Sequence, residues 1–196
     1  GPVVTASVVL PDEIFYYPIE STFWAHVDDS KKLTPQKRAW LSELIWKYCE
    51  VYVGWCSVEE IDQWNILHAS MIAMRRALLP LAGKASVVLV DGHLNPYLPQ
   101  FRSPHGEAFR LGFEKIKPIV KGDSVSISIA AASIVAKVYR DQWMIEMDSL
   151  YPGYFFKNHK GYSTVDHYDA LKKIGPCVIH RKSFGPVRRF GLPTTV

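Results

Sequence analysis

The chain has 196 residues, 48% hydrophobic and 21% charged, a composition that excludes a disordered or low-complexity chain and fits a single globular unit. Its net charge of +4 is unevenly placed: six basic residues and no acid fall in 170–196 (Lys172, Lys173, Arg181, Lys182, Arg188, Arg189), which points as much to a polyanionic partner as to a solvated C-terminus. No apolar run reaches the roughly 18 residues of a membrane span, no leader pattern is present, and Cys49, Cys56 and Cys177 lack metal-type spacing, so the expected setting is the reducing cytoplasm.

Residues 3–10 are rich in Val and predict a strand. A strand-like run this close to the first residue, with no initiator Met, is expected of a processed chain or a fragment. The stretch 11–33 predicts a connection. Thr34-Pro35 predicts an N-cap with proline in the first turn, and Arg38, Trp40, Leu41, Leu44, Ile45 and Tyr48 follow at helical spacing. Glu50 to Cys56 alternates and is β-branched or aromatic, a strand pattern. Ser57-Val58-Glu59-Glu60 predicts a capping box, and Asn65 to Leu79 a strong helix ended by Pro80. Ser86 to Val90 has no polar alternation, which predicts a strand buried on both faces, ending in Asp91-Gly92. Residues 93–114 have no clear form. Lys115 to Val120 predicts a further strand, ending at Lys121-Gly122-Asp123. Ser128 to Leu150 is helical, and its run Ala130-Ala131-Ala132-Ser133 predicts close packing; Thr164 to Ile174 is a last helix, stopped by Gly175-Pro176. This order describes a mixed-sheet α/β domain.

Two carboxylates stand out. Asp91 and Asp123 end predicted strands, where open α/β sheets bind ligands, and two such carboxylates could share a Mg²⁺ ion. Against this, Asp91-Gly92 could be only a turn and Asp123 only a charge before a helix. Lys31, Lys32, Lys121 and Lys160 sit in loops or at element ends, where phosphate contacts arise. Tyr162 lies in an aromatic, basic, Gly-containing loop that could stack on a sugar or base, or could be a core tyrosine. The seven His residues lack zinc spacing, and no Gly-rich phosphate loop is present.

Eight segments in order resemble bacterial ribonuclease HII. They are Gly1-Pro2-Val3-Val4; Asp29-Ser30-Lys31-Lys32-Leu33; Glu60-Ile61-Asp62 with Asn65-Ile66; Val88-Leu89-Val90-Asp91-Gly92; Lys121-Gly122-Asp123; residues 129–141; His159-Lys160-Gly161-Tyr162-Ser163-Thr164 with His167; and His180-Arg181-Lys182-Ser183-Phe184. The resemblance implies a ribonuclease H-like mixed sheet flanked by helices, with a catalytic domain over 1–175 and a basic C-terminal extension over 176–196. It implies a cytoplasmic, monomeric endoribonuclease, not membrane-bound, that uses Mn²⁺ or Mg²⁺. The expected substrate is an RNA–DNA hybrid or a DNA duplex containing ribonucleotides, cut to 5′-phosphate and 3′-hydroxyl ends.

By position the resemblance makes Asp91 and Asp123 the third and fourth of four metal-holding carboxylates, and Tyr162 the residue that stacks on a deoxyribose. Lys31 and Lys32 match a loop near the substrate backbone, Asp141 a structural helix residue. With Lys121, Lys160, Arg181 and Lys182 these complete the expected substrate-binding set. The family's Asp-Glu-Ala-Gly-Arg-Gly segment, with its two carboxylates and a central first strand, would precede Gly1 and does not occur in the sequence. A chain without it is expected to cleave poorly, so a non-catalytic nucleic-acid-binding fragment is the alternative. An unrelated α/β hydrolase or transferase with one metal at Asp91 is a third reading.

Overall fold

The computed structural model describes residues 1–16, 18–101 and 115–191; Tyr17, residues 102–114 of the formless 93–114 stretch and the end of the basic extension, 192–196, lie outside the described residues. Strands β1 (Val3–Val9) and β2 (Glu50–Cys56) pair with each other, and β3 (Val87–Asp91) pairs with β4 (Lys115–Ile119). The helices are α1 (Pro35–Tyr48), α2 (Val58–Leu78), α3 (Ile127–Leu150), α4 (Phe156–His159), α5 (Val165–Ile174) and α6 (Gly185–Arg188). The chain divides into two compact units, one of Val4–Trp55 with Met71–Val138, the other of Gly1–Val3, Cys56–Ser70 and Tyr139–Val196. The expected mixed α/β class holds.

In the unit Val4–Trp55 with Met71–Val138, strand alternation sorts side chains between two helical layers. Ala6, Val8 and Leu10 pack with Val51 and Val53 onto Leu41, Ile45, Ala131, Ile134 and Val135, the inner faces of α1 and α3. Thr34 caps α1 as predicted, its hydroxyl oxygen accepting from Lys37 N at 3.2 Å. Val9 and Tyr52, on the opposite face, meet Leu78, Leu81, Val88 and Val90. There Ser7 donates to Ala77 O at 2.6 Å. Gly54 shares this face, where a Cβ would lie 2.1 Å from Ala73 O and 2.4 Å from Ala77 N, so only glycine lets β2 approach α2 this closely.

Strand β3 departs from expectation. Val88 and Val90 are buried, but Val87 and Leu89 are 50% and 37% exposed. One face of the strand is therefore open, and a groove of about 520 Å³ lies between β1 and β3. A pocket on one sheet face would touch alternate residues; this one touches all of Val4–Leu10 and Val87–Asp91, so it runs along the strand edges. Met74 and Leu78 of α2 and Ile129, Ala132, Ser133 and Ala136 of α3 complete its walls. The small-residue run thus divides, with Ala131 packing in the core and Ala132 and Ser133 lining the groove.

In the other unit, Ser57 and Glu60 form the predicted capping box: Glu60 N donates to Ser57 Oγ at 3.2 Å and Ser57 N to Glu60 Oε2 at 2.9 Å. The helix predicted from Asn65 starts there: α2 is two helical stretches meeting at Asn65 (φ 63°, ψ 166°), whose side-chain oxygen accepts from Leu67 N and His68 N and so caps the second stretch. Two four-residue helices, α4 and α6, are too short to leave a periodic pattern. The core joins Met144, Tyr154, Phe156, Ala170, Leu171 and Cys177. Asp62 ties down the basic segment, accepting from Lys182 N (2.7 Å), Ser183 N (2.8 Å) and Ser183 Oγ (2.6 Å).

Burial alone would raise the Asp62 carboxyl, but the Ser183 and Lys182 donors outweigh it and hold it below the usual carboxylate value of 3.8. A lowered folded value means this stabilisation is complete above the unfolded pKa, near 4, and is lost as pH falls through the folded value. Asp62→Asn keeps one acceptor oxygen at a partly solvated site, so it should cost about 0.5–1.5 kcal/mol at pH 7. Thermal melts from pH 7 to pH 3 should show a flatter acid limb for the variant; parallel limbs would remove Asp62 from the acid response.

Candidate active site

Strands β3 and β4 run parallel in the register Val87–Lys115 to Asp91–Ile119, so both leave the sheet at one edge. Gly92 N donates to Ile119 O at 2.9 Å, extending the ladder by one bond. Lys121 then adopts the left-handed conformation (φ 54°, ψ 40°), at a cost of about 1–2 kcal/mol for a residue with a Cβ, and a 3₁₀ turn follows over Gly122–Ser124. That turn carries Gly122 N–H to Asp91 Oδ1, at 2.9 Å. A Cβ at Gly122 would stand 2.5 Å from Ile129 Cδ1 and 3.4 Å from Asp91 Oδ1, so glycine keeps this approach open. Asp91 is exposed, while Asp123, one residue beyond the contact, is 9% exposed.

Lys31 pairs with Asp123, Nζ to Oδ2 at 3.6 Å, with its side chain 81% exposed. The loop presenting it is built by its neighbours: Lys31 N donates to Asp29 Oδ1 at 2.9 Å, and Arg38, from the first turns of α1, donates to the carbonyls of Ser30 and Leu33. Lys32 pairs instead with Asp28 at 3.0 Å, and that hydrogen bond lowers the Asp28 carboxyl and raises the Lys32 amine. Of the expected residues, then, the geometry gathers Asp91, Asp123, Lys31 and Lys121, with Lys32 on the adjoining turn. Nothing in the sequence singles out Arg38, which reads there only as one helical residue among several.

The other expected residues belong to the second unit. Tyr162 is 56% exposed, with the Arg140 guanidinium 5.5 Å from its ring centroid. Lys160 (φ 53°) and Gly161 (φ 78°) are consecutive left-handed residues, and the Lys160 amine turns back onto Lys157 O. Arg140 also donates to Lys160 O and Pro2 O, both at 3.2 Å. Arg181 faces inward, donating to Gly1 O at 2.9 Å and Pro2 O at 3.2 Å, and burial lowers its guanidinium below the ordinary value. Lys182 is exposed, its backbone N–H held by Asp62. Asp62 and Arg140 occur in the quoted segments, but nothing in their spacing marks them as supports for a basic surface.

Asp91 and Asp123 offer hard oxygen donors, the chemistry that Mg²⁺ and Mn²⁺ prefer. Among the described residues no group of three or more His, Cys, Asp or Glu could hold a metal. Two carboxylates, one of them exposed, fit an open site whose remaining positions go to water and substrate oxygens. Among the described residues no helix is long and apolar enough to cross a membrane.

The family model described as Ribonuclease HII matches residues 1–187. Ribonuclease HII of Chlamydia muridarum is 44% identical over 191 residues, covering 96% of this chain and 77% of that protein. The enzyme of Caldanaerobacter subterraneus subsp. tengcongensis is 45% identical over 185 residues, covering 94% of this chain and 68% of that protein. Among solved structures, RNase HII in the PCNA complex from Archaeoglobus fulgidus superimposes with a TM-score of 0.70 at 26% identity, covering 99% of this chain and 91% of that one. Bst-RNase HIII in complex with Mn²⁺ shares the fold, with a TM-score of 0.70 at 17% identity over 97% of this chain and 64% of that one. A family pattern running from Gly1 to Val187, on a fold that sets two aspartates at neighbouring strand ends, places the chain in the ribonuclease HII family of endoribonuclease hydrolases.

Proposed function

We propose that the chain hydrolyses the RNA strand of RNA–DNA hybrids, including single ribonucleotides embedded in DNA, and leaves 5′-phosphate and 3′-hydroxyl ends. The observation that carries this reading is the Asp91–Gly122 contact, which brings Asp91 onto the residue preceding Asp123 in a member of this family. Asp91 and Asp123 would hold Mg²⁺ or Mn²⁺, and a Mn²⁺ complex of a protein of the same fold supports the second. A divalent cation held there supplies charge neutralisation for the scissile phosphate and acidifies water.

The chain's own residues prepare the phosphate's place. Gly122 N–H occupies Asp91 Oδ1 and fixes the carboxylate, leaving Oδ2 for a ligand. Lys31 neutralises Asp123 from an exposed position, and such a surface pair, worth about 0–1 kcal/mol, releases the amine readily to an incoming phosphate. Lys32 and Lys121 add charge on the same loops. Tyr162 supplies a stacking ring, and Lys160 and Lys182 contact backbone phosphates. Arg181 contributes by bracing the Gly1 and Pro2 carbonyls and by its charge. We assign duplex affinity to 176–196 and catalysis to 1–175; a monomer suffices for both.

The test uses a labelled duplex containing one ribonucleotide, with Mn²⁺ or Mg²⁺. Slow cleavage is expected at the ribonucleotide, with Asp91→Asn and Asp123→Asn each reducing it at least about 100-fold further, a loss of roughly 2.7 kcal/mol of transition-state stabilisation, while duplex affinity changes little. Tight binding without cleavage by the unsubstituted chain would favour the non-catalytic reading, and absence of binding would contradict both.

The basic segment is expected to act on affinity alone. Replacing Lys182, Arg188 and Arg189 with Gln should weaken binding and flatten the plot of log affinity against log salt, by about 0.9 for each phosphate of a B-form duplex that is no longer neutralised. An unchanged slope would remove this segment from the phosphate-binding surface.

A further inference from the structure

The second unit buries three histidines, His159, His167 and His180, outside any carboxylate site. Their hydrogen bonds fix one tautomer each. Tyr162 O can only accept, so His167 Nδ1, 3.0 Å away, donates to it. With one proton per ring, His167 Nε2 then accepts from His180 Nε2 at 3.0 Å. His180 Nδ1 is left to accept from Cys177 N at 3.0 Å, a choice made by the His167 end because Cys177 Sγ and Cys177 O also lie 3.1 and 3.2 Å from that nitrogen. His159, stacked on His167 with ring centroids 4.5 Å apart, accepts from Gly161 N at 3.1 Å and donates from Nε2 to Tyr154 O at 2.8 Å.

The relay requires one proton per ring on His167 and His180. Burial outweighs the Tyr162 carbonyl and lowers His167, and burial with the neighbouring His167 takes His180 to about 3, so both are neutral at pH 7.

The three imidazoles converge on the turn Lys160-Gly161-Tyr162. That turn is not a default backbone conformation, since Lys160 (φ 53°) and Gly161 (φ 78°) are both left-handed and Lys160 carries a Cβ. Sparsely populated conformations persist where surrounding contacts over-determine them. Here Gly161 N–H is held by His159, Lys160 O by Arg140 and Tyr162 O by His167. Tyr162 leaves this anchored turn with its ring exposed.

We propose that His159, His167 and His180 are positioning residues, an imidazole clamp that sets the Lys160–Tyr162 turn and so aims the Tyr162 ring at nucleic acid. The clamp rests on the reading of Tyr162 as a substrate-stacking residue.

Two substitutions at one position separate its parts. His167→Asn places an amide nitrogen near the Nδ1 position and keeps a donor for Tyr162 O, whereas His167→Gln reaches toward His180 and leaves Tyr162 O without one. Duplex affinity of the full chain should stay within about threefold for Asn and fall about tenfold for Gln, matching the loss in Tyr162→Ala. Exchange of the Gly161 amide should accelerate in the Gln variant only. ¹⁵N spectra of the unsubstituted chain at pH 7 should show Nε2–H for His159 and His180 and Nδ1–H for His167. Other tautomers, or equal effects of Asn and Gln on amide exchange, would overturn the clamp. Unchanged affinity in Tyr162→Ala, with the exchange difference intact, would overturn the stacking reading and leave the clamp standing as the anchor of the turn.

Discussion

A single hydrogen bond, Gly122 N–H to Asp91 Oδ1, ties together everything the candidate active site needs. It can form only because β3 and β4 are parallel and end in register, Asp91 opposite Ile119. It also needs Lys121 in a left-handed conformation, so that the chain reverses within two residues of leaving β4. The strain at Lys121 is thus spent on bringing Gly122 N–H to Asp91, and the buried Asp123 that follows is matched by the amine of Lys31. Without the ladder, the two aspartates would be unrelated loop carboxylates.

The two units solve a similar problem with similar pieces. Lys121-Gly122-Asp123 and Lys160-Gly161-Tyr162 each place a left-handed lysine before a glycine and then the residue that faces chemistry. In the first, the acceptor that captures the glycine N–H is a carboxylate; in the second it is an imidazole. Left-handed lysines keep a positive charge where glycine would be conformationally cheaper. That is the expected trade in a surface that must both turn sharply and attract phosphate.

Most elements were legible because their signals are local. Thr34-Pro35, the Ser57–Glu60 box and the alternation of Glu50–Cys56 act over two to seven residues and appear as read. What escaped depends on distant partners. β3 has one open face, and an apolar run reads alike whether one face or two are covered. The helix start at Asn65 was readable, but the positive φ that joins it to the stretch before was not, because Asn merely tolerates it. In the site, Asp91 and Asp123 could be picked out as strand-end carboxylates, but their link through Gly122 could not, nor the pairing of Lys31 with Asp123. Arg181 reads as a tail charge and proves to be a brace for Gly1 and Pro2, because charge count does not say where a guanidinium points.

The central claim is that Asp91 and Asp123 hold one ion in common, and titration of Mn²⁺ followed by electron paramagnetic resonance tests it most directly. The chain should bind Mn²⁺ at a site whose affinity falls about tenfold or more in Asp91→Asn and likewise in Asp123→Asn, with the double variant no weaker than the sum of two ligands to one ion allows. Mn²⁺ affinity unchanged in either single variant would contradict a shared site.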